Sequence, residues 1–358
     1  MTYLIAAAGT GGHVFPGLSV AEALVDLGVS RSEVRFVGGG RLEAEVYPAE
    51  GFPFLQVELS GLRRSLTLAN LRIPRIVARA RDRIHEEIAD AGVGVVLGLG
   101  GYVTIPAGWA AKRAGVTFFN AEQNAEAGLA NKVATRWAQR TFVSFPDTKG
   151  LPKGEWVGNP VRKQFWAFDR NDLAGEAKDH FGIPEDLPVL GVFGGSLGAG
   201  VLNAAAERLA VRGLSEEAAI IHLTGAAHIR DLEVKTPHGS VVWVRKSFEE
   251  RMDLFYAAAD LVLARAGGAV AELTATATPS ILVPGSFGST GHQLENAAFI
   301  SDHGAGVSID EDEIDRLPEL VESTLFDRER LDRMQENASA ISRPGAAHSI
   351  ANAMLEAA

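Results

Sequence analysis

Cysteine is absent from all 358 residues of the chain. Its absence excludes disulfides, thiolate catalysis and cysteine zinc sites, and it fits a reducing cytoplasm. No run of about 18 apolar residues occurs, so no transmembrane helix is expected. The N-terminus has no basic segment leading into an apolar one, so no signal peptide is expected. The net charge of −11 disfavours nucleic acid as a partner, because phosphate backbones bind basic surfaces.

Two familiar nucleotide-binding motifs are also missing. Neither glycine-rich turn places Gly-x-Gly-x-x-Gly in register, which disfavours a dinucleotide-dependent oxidoreductase. No Gly-x-x-x-x-Gly-Lys-Ser/Thr sequence occurs, so there is no P-loop.

The hydrophobic content of 46% and the charged content of 22% are typical of a globular protein.

The same structural plan occurs twice along the chain. Apolar runs alternate with helical patterns, which predicts parallel sheets with helices on both faces. In each half an apolar run leads into a glycine-rich turn and a helical pattern, near Gly9–Gly12 and near Gly194–Gly198. The predicted fold class is α/β, with two Rossmann-like doubly wound domains that face a cleft.

The boundary between the two domains is expected where Gly158 and Pro160 interrupt the pattern. The first domain is then residues 1–158 and the second is residues 159–343. Residues 344–358 are predicted to form a helix that packs back on the first domain.

Both glycine turns are candidate phosphate sites. Such a turn between a strand and a helix points backbone N–H groups at one place, where the helix dipole adds partial positive charge. Glycine also lets an anion approach without a Cβ in the way. A doubly wound domain needs tight turns in any case, so one loop alone leaves function and architecture equally open. Two loops at matching positions favour a phosphate ligand.

His13 has two interpretations that the residues alone leave open. The ring lies at the start of a predicted helix, with Pro16 and Gly17 expected in the first helical turn. It could simply hydrogen-bond the backbone there. Alternatively it is a general base, because a helix N-terminus disfavours the imidazolium and leaves a neutral ring able to take a proton.

Several polar side chains near these turns suit a nucleotide sugar. Arg162 is always charged and pairs well with phosphate, and the carboxylate of Glu272 can accept two hydrogen bonds from a ribose diol. Gln293 and Asn296 lie three residues apart, so one helix face presents both amides to sugar hydroxyls. Asn124 follows an apolar strand, at the end where α/β proteins bind ligands. Taken singly, each residue is more typical of a surface or capping position.

One segment departs from the acidic average of the chain. Gly61–Ile84 carries seven arginines and one acid, Asp82, with apolar residues between them. Composition alone favours an amphipathic helix that packs on a sheet with a solvated basic face. Contact with an anionic membrane surface is the alternative.

Seven stretches together resemble the N-acetylglucosaminyl transferases of bacterial cell-wall synthesis, the MurG family. They are GTGGHVFPGLSVAEAL, VLGLGGYVTIPA, AEQNAEAGLANK, VGNPVR, GGSLGA, RAGGAVAEL and GHQLENAA, in the family's order over roughly residues 4–305. The resemblance implies a GT-B glycosyltransferase that moves N-acetylglucosamine (GlcNAc) from UDP-GlcNAc to the muramoyl 4-hydroxyl of undecaprenyl-linked lipid I. The product is lipid II for peptidoglycan synthesis, formed with inversion. The family's motifs include no Asp-x-Asp metal site, so no metal or other cofactor is required.

The resemblance implies that the donor lies mainly against the second domain. Glu272 would bind the ribose hydroxyls, and the backbone around Phe248 and Glu249 would meet uracil. Gln293 and Asn124 would contact the GlcNAc. The residues implied to hold the UDP are Arg162, Gly195, Ser196 and Gly198.

In the first domain the resemblance makes His13 the candidate catalytic base. Thr10, Gly11 and Gly12 would close over the donor or hold the pyrophosphate of the acceptor. UDP leaves as a stable anion, whose charge the glycine turn, the helix dipole and Arg162 would offset.

Because the implied acceptor is a lipid, the resemblance also implies peripheral binding at the cytoplasmic side of the cell membrane. It shifts the interpretation of Gly61–Ile84 toward contact with an anionic surface. Other cell-wall synthesis proteins are expected as further partners. The residues expected to contact the membrane are Arg63, Arg64, Leu66, Leu68, Leu71, Arg72 and Arg75.

The chain also departs from the family's pattern. Ala121 stands where the family usually has histidine, Leu197 where it has glutamine, and His292 where glutamine is common. Two other functions stay open beside the transferase: a UDP-sugar epimerase of the same fold, and a non-catalytic nucleotide-sugar binding protein. The basic and apolar segment argues against the epimerase, and the presence of His13 with both glycine turns argues against the binding protein.

Overall fold

The chain forms two compact units. The computed structural model describes residues 1–58, 73–195, 198–225, 237–285 and 291–358. One unit comprises Met1–Lys163 with Arg343–Ala358, and the other comprises Gln164–Ser342. The first unit continues past residue 158, where the sequence analysis sets the boundary. The N–H groups of Val157 and Gly158 both donate to the Val143 carbonyl, at 3.1 and 3.3 Å, so the chain is still bonded to the first sheet at residue 158.

The first unit is built on a parallel sheet in the order β3-β2-β1-β4-β5-β6-β7. Its strands are β1 (Thr2–Ala6), β2 (Val34–Gly38), β3 (Phe54–Gln56), β4 (Val93–Gly98), β5 (Thr117–Glu122), β6 (Arg140–Val143) and β7 (Glu155–Trp156). Its first helices are α1 (Gly11–Asp26), α2 (Leu42–Ala49), α3 (Ile73–Asp90), α4 (Thr104–Ala114) and α5 (Leu129–Ala134).

The second unit is built on a parallel sheet in the order β10-β9-β8-β11-β12-β13. Its strands are β8 (Val189–Phe193), β9 (Ala218–Leu223), β10 (Val241–Lys246), β11 (Leu261–Ala264), β12 (Ser280–Leu282) and β13 (Gly306–Ser308). Its helices are α6 (Arg170–Phe181), α7 (Gly200–Arg212), α8 (Met252–Ala258), α9 (Ala269–Ala275), α10 (Gly291–Asp302), α11 (Leu317–Leu325) and α12 (Arg328–Ile341).

The last helix, α13 (Ala346–Glu356), belongs to the first unit and packs against α1. His348 Nε2 lies 3.0 Å from an Asp26 carboxylate oxygen, and this hydrogen bond lowers the pKa of Asp26. The Arg343 guanidinium lies 4.1 Å from the centre of the Trp156 ring. These contacts attach the C-terminal segment to the first unit.

The central strands are predominantly apolar because helices cover both faces of each sheet. Leu4 and Ile5 of β1 and Leu190 and Val192 of β8 are fully buried. In the first unit, side chains of α3 and α4 pack in the same core cluster as Leu4. In the second unit, side chains of α7 and α11 pack in the same core cluster as Leu190 and Val192.

The strand order of each sheet reverses at one place. In the first sheet the reversal lies between β1 and β4, and in the second it lies between β8 and β11. Ligands of doubly wound proteins bind outside the carboxyl ends of the strands at such a switch point. The fold therefore marks one candidate ligand position in each unit.

One residue departs from ordinary backbone geometry just after the end of α9. Ala277 has φ of +48° and is the second residue after α9 ends. Its N–H donates to Thr274 O at 3.1 Å, and the Thr278 N–H donates to Leu273 O at 2.8 Å. This is the Schellman pattern of a helix end, in which glycine is the preferred residue at the left-handed position.

We expect Ala277→Gly to stabilise the protein by about 0.5–1 kcal/mol. Relief of the left-handed alanine gives about 1–2 kcal/mol, and the greater freedom of glycine in the unfolded chain takes part of it back. The free energy of unfolding in urea measures the effect. Ala275→Gly, at the end of α9 itself, is the matched control and should destabilise by up to about 1 kcal/mol. A lower stability for Ala277→Gly than for the parent would contradict the strain argument.

Candidate active site

The turn between β1 and α1 is held by a buried carboxylate. Glu43 is 1% exposed, and its two oxygens accept hydrogen bonds from the N–H groups of Gly9 at 3.2 Å and Gly39 at 2.9 Å. Tyr47, one helical turn further along α2, donates its hydroxyl to Val14 O at 3.2 Å. Burial and the Glu43 charge both raise the pKa of Tyr47. Helix α2 therefore fixes both the turn and the first turn of α1.

The turn after β4 packs tightly on the turn after β1, and glycine is required at two places. Gly100 and Gly101 have φ of +87° and +73°. A Cβ on Gly101 would overlap the Ala8 carbonyl oxygen, and a Cβ on Gly100 would lie 2.6 Å from the His13 ring. Both positions thus exclude a side chain for reasons of space as well as backbone conformation.

His13 lies in the first turn of α1 and is half-buried against Gly100. Its Nδ1 atom lies 3.4 Å from the Thr10 hydroxyl. The expectation that Pro16 and Gly17 occupy the first helical turn is wrong. The helix begins at Gly11, five residues before Pro16, so both residues lie in its second turn. Thr10 is the N-cap residue, and its carbonyl already accepts from the N–H groups of His13 and Val14.

The start of α1 has the features of an anion site. Gly11 and Gly12 are its first two residues, Thr10 before them is exposed, and the helix runs for 16 residues. The N–H groups at the start of a helix lack intrahelical partners, and the helix dipole favours negative charge there. This arrangement can hold a phosphate or pyrophosphate.

Asn124 is positioned by a second buried carboxylate, Glu122, at the end of β5. Glu122 is 3% exposed. One oxygen accepts from the N–H groups of Gln123 and Asn124 and from the Asn124 amide, each at 3.0 Å. The other oxygen accepts from Gly128 N–H at 2.9 Å and from the Asn131 amide at 2.7 Å. Bonds to an ionised acceptor are stronger than neutral ones, so Glu122 fixes the conformation of the loop that carries Asn124.

The turn between β8 and α7 follows the same plan in the second unit. Gly195 and Gly198 have φ of +88° and +79°, and the Gly198 N–H donates to Gly195 O at 2.9 Å. A Cβ on Gly194 would overlap the backbone nitrogen of Ala199. Ser196, predicted to hold the UDP, lies outside the described residues.

Glu272 lies in the first turn of α9, which follows β11, the strand that pairs with β8. The side chain is half-buried. Its Oε2 atom accepts a hydrogen bond from the Tyr256 hydroxyl at 3.0 Å. The carboxylate predicted to bind ribose is therefore found at the second switch point.

The turn after β10 carries Phe248 and Glu249. Phe248 is 52% exposed, whereas the Glu249 side chain points inward and bonds to Lys246 and to His180. Burial raises the pKa of the Glu249 carboxyl, but the hydrogen bonds from Lys246, His180 and the Arg251 N–H outweigh it and the pKa is lowered overall. The Glu249 side chain anchors the turn, which leaves the backbone for contact with a base.

The two amides of α10 have different surroundings. Gln293 is half-buried, and its Oε1 atom accepts from Gly285 N–H at 2.8 Å. Asn296 is only 1% exposed, and its amide donates to Ala266 O at 3.0 Å. The expectation that one helix face presents both amides to a sugar is corrected for Asn296, because its side chain braces the loop after β11 from inside.

Arg162 belongs to the first unit, where its guanidinium lies 5.9 Å from the centre of the Phe15 ring of α1. Its expected contact with UDP stays a prediction, as does that of Asn124 with GlcNAc. Arg75 is exposed in the first turn of α3. The other residues expected to contact a membrane lie outside the described residues; they are Arg63, Arg64, Leu66, Leu68, Leu71 and Arg72.

No helix within the described ranges is long and apolar enough to cross a bilayer. The described part of the chain also holds no group of three or more histidine or acidic side chains that could ligate a metal. That the reaction requires no metal stays a prediction.

One described histidine belongs to the core. His222 on β9 is fully buried, and its Nε2 atom lies 3.0 Å from the Asn203 side-chain oxygen. Burial lowers its pKa to about 4. The ring is thus neutral at physiological pH and serves packing.

Sequence reasoning missed two residues that support the site, namely Glu43 and Tyr256. Glu122 had a signal, since it adjoins Asn124 at the end of an apolar strand, but its role in holding the loop was not predicted. Glu43 lies 34 residues from Gly9, and Tyr256 lies 16 residues from Glu272. Partners so far apart in the chain leave no local pattern.

The two parallel sheets confirm the predicted α/β class with two doubly wound units, and the family and structure matches that follow assign these units to the GT-B type of glycosyltransferase. The N-terminal domain of glycosyltransferase family 28 matches residues 3–143, and the C-terminal domain of that family matches residues 189–351. The chain belongs to glycosyltransferase family 28 and, within it, to the MurG family.

Curated relatives extend over the whole chain. A protein of Mycolicibacterium vanbaalenii named UDP-N-acetylglucosamine--N-acetylmuramyl-(pentapeptide) pyrophosphoryl-undecaprenol N-acetylglucosamine transferase is 38% identical over 99% of this chain and 90% of its own. A Nocardia farcinica protein of the same name is 37% identical over 98% of this chain and 94% of its own.

Solved structures agree with this assignment. The crystal structure of Acinetobacter baumannii MurG has a TM-score of 0.77 at 27% identity and covers 99% of this chain and 100% of its own. A UDP-GlcNAc 2-epimerase from Neisseria meningitidis has a TM-score of 0.68 at 15% identity over 99% and 100% of the two chains. At that identity the epimerase shares the fold alone.

We expect Glu122→Gln to destabilise the protein by about 2 kcal/mol and to lower its activity. The amide group replaces an oxygen that accepts backbone and side-chain hydrogen bonds, and it faces donors that are then left unsatisfied. Glu126→Gln is the control in the same loop, because Glu126 is partly exposed and pairs only with Lys132 among the ion pairs described. It should change the free energy of unfolding by less than about 0.5 kcal/mol. Equal effects of the two substitutions on urea unfolding would refute the role of Glu122.

Proposed function

We propose that this chain transfers GlcNAc from UDP-GlcNAc to the 4-hydroxyl of the muramoyl sugar of undecaprenyl-linked lipid I, which yields lipid II for peptidoglycan synthesis. The observation that carries the proposal is similarity at 38% identity over 99% of the chain to a transferase of that name. The glycine turns at both switch points support it, because donor and acceptor each contain a diphosphate.

The donor is bound by the second unit. Glu272 accepts hydrogen bonds from the ribose diol, and backbone groups near Phe248 and Glu249 contact uracil. The turn through Gly195 and Gly198 and the start of α7 face the diphosphate. Gln293 reaches the GlcNAc through its Nε2 group, since its Oε1 atom is bonded to Gly285.

The acceptor is bound by the first unit, with its pyrophosphate at Thr10, Gly11 and Gly12. The muramoyl 4-hydroxyl oxygen attacks C1 of the GlcNAc while the bond from C1 to the UDP oxygen breaks. His13 takes the hydroxyl proton as general base, and UDP departs as an anion. Attack from the side opposite the leaving group inverts C1 and gives a β-1,4 link.

The lipid acceptor requires access to a membrane surface, and we place the enzyme peripherally on the cytoplasmic face. Exposed arginines of α3 support this, because anionic lipids attract basic residues. Arg75 and Arg79 are both exposed, and the Arg83 side chain is 64% exposed. Further cell-wall synthesis proteins are its proposed partners.

The transfer reaction is tested with purified protein, labelled UDP-GlcNAc and lipid I in detergent. We expect labelled lipid II, identified by mass and by β-linkage in its NMR spectrum. Intact donor binding without transfer would refute the proposal. Conversion of UDP-GlcNAc to its 2-epimer without lipid I would favour the epimerase instead.

His13→Ala should lower kcat by about 100-fold to 10,000-fold, because proton transfer by a positioned base contributes that much. The KM for UDP-GlcNAc should change little. His303→Ala is the control, since His303 is exposed, directly follows the end of α10 and has its Nδ1 atom within hydrogen-bond distance of Phe299 O. Near-normal turnover of His13→Ala with both substrates saturating would exclude His13 as the essential base.

A further inference from the structure

A neighbouring side chain holds the Glu272 carboxylate in place at the second switch point. Its Oε2 atom accepts a hydrogen bond at 3.0 Å from the hydroxyl of Tyr256. Tyr256 comes from α8, whereas Glu272 comes from α9, and β11 separates the two helices in the chain. The contact therefore joins the carboxylate to a different element of the second unit.

The Tyr256 ring is fixed by its neighbours. The residue is fully buried, and its ring makes edge contacts with Phe165, Phe193 and Phe255 at centroid distances of 5.5, 6.2 and 5.4 Å. Phe193 is the last residue of β8, which leads into the glycine turn. A ring packed on three sides keeps its hydroxyl in one place, so the hydroxyl is a donor of fixed position.

A donor of fixed position matters to a carboxylate that must meet two hydroxyls at once. An ionised carboxylate has about four lone-pair sites on its two oxygens, and rotation about its last bond is broad and weakly restricted. A hydrogen bond from Tyr256 to one oxygen selects one orientation of the carboxylate plane. Less rotational freedom is then lost when a diol binds.

We propose that Tyr256 is a positioning residue for the donor: its hydroxyl orients Glu272 to receive the 2′- and 3′-hydroxyls of the ribose. The proposal rests on the proposed function, since it takes a ribonucleotide as the ligand of Glu272. Tyr256 itself does not touch the ligand. Its effect on binding should therefore depend on the presence of the ribose hydroxyls.

The test is the equilibrium binding of two probes, UDP and 2′,3′-dideoxy-UDP, measured by calorimetry on the parent and on Tyr256→Phe. We expect Tyr256→Phe to weaken UDP about fivefold to tenfold, the value of one hydrogen bond. The same substitution should weaken dideoxy-UDP less than twofold. An equal loss for both probes would mean a general structural defect and overturn the proposal, as would unchanged affinity for UDP.

A double-mutant cycle with Glu272→Ala, which leaves no acceptor for the Tyr256 hydroxyl, separates positioning from packing. If Tyr256 acts through Glu272, Tyr256→Phe should weaken UDP less than twofold in the Glu272→Ala background. A full fivefold to tenfold loss in that background would refute the coupling. Failure of the positioning role and failure of the proposed function give different results. A protein that shows the expected changes in UDP binding but makes no lipid II refutes only the proposed transfer reaction. A parent protein that does not bind UDP refutes both.

Discussion

Backbone N–H groups at the carboxyl edge of the first sheet have no further strand to bond, and buried carboxylates accept from them instead. Glu43 holds the turn before α1 through Gly9, and Glu122 holds the loop after β5 through three backbone N–H groups. A buried donor without a partner is costly, and so is a buried charge without hydrogen bonds. Here the backbone donors and the carboxylates satisfy each other, so neither cost arises, and each loop is held in a single conformation. The proposed role of His13 as a base and the predicted contact of Asn124 with GlcNAc depend on these hydrogen bonds.

Close approach of two turns is the second constraint on the site. The turn after β4 meets the turn after β1 so closely that Gly101 leaves no room for a Cβ beside Ala8, and the His13 ring fills the space beside Gly100. The ring therefore has a fixed neighbour on one side and Thr10 on the other. A base must be held in place to be effective. Here Gly100 packs against the His13 ring, and Gly101 permits the close approach of the two turns.

The alternation of strands and helices was enough to predict both doubly wound units, because a parallel sheet covered on both faces requires continuous apolar strands. The glycine turns were predictable for the same reason, since each follows such a strand. The start of α1 was misplaced, because the helix begins within the glycines rather than at the apolar pattern after them. Asn296 was assigned by helical periodicity alone, which gives the face of a helix but not what covers it. Glu43 and Tyr256 were missed because their partners are distant in the sequence, and only the folded chain brings them together.

Ala121 is the departure from the family's pattern that bears most on mechanism. The residue is 3% exposed, and its carbonyl accepts from the side-chain amides of Gln123 and Asn131 at 3.1 and 3.0 Å. These bonds use the backbone, so they persist whatever side chain stands there. Glu122 likewise holds the loop without help from the side chain of residue 121. The missing imidazole therefore leaves the architecture of the loop intact, and its loss concerns the chemistry alone. Under the proposed function the proton transfer falls to His13, whose ring lies beside Thr10 and Gly100.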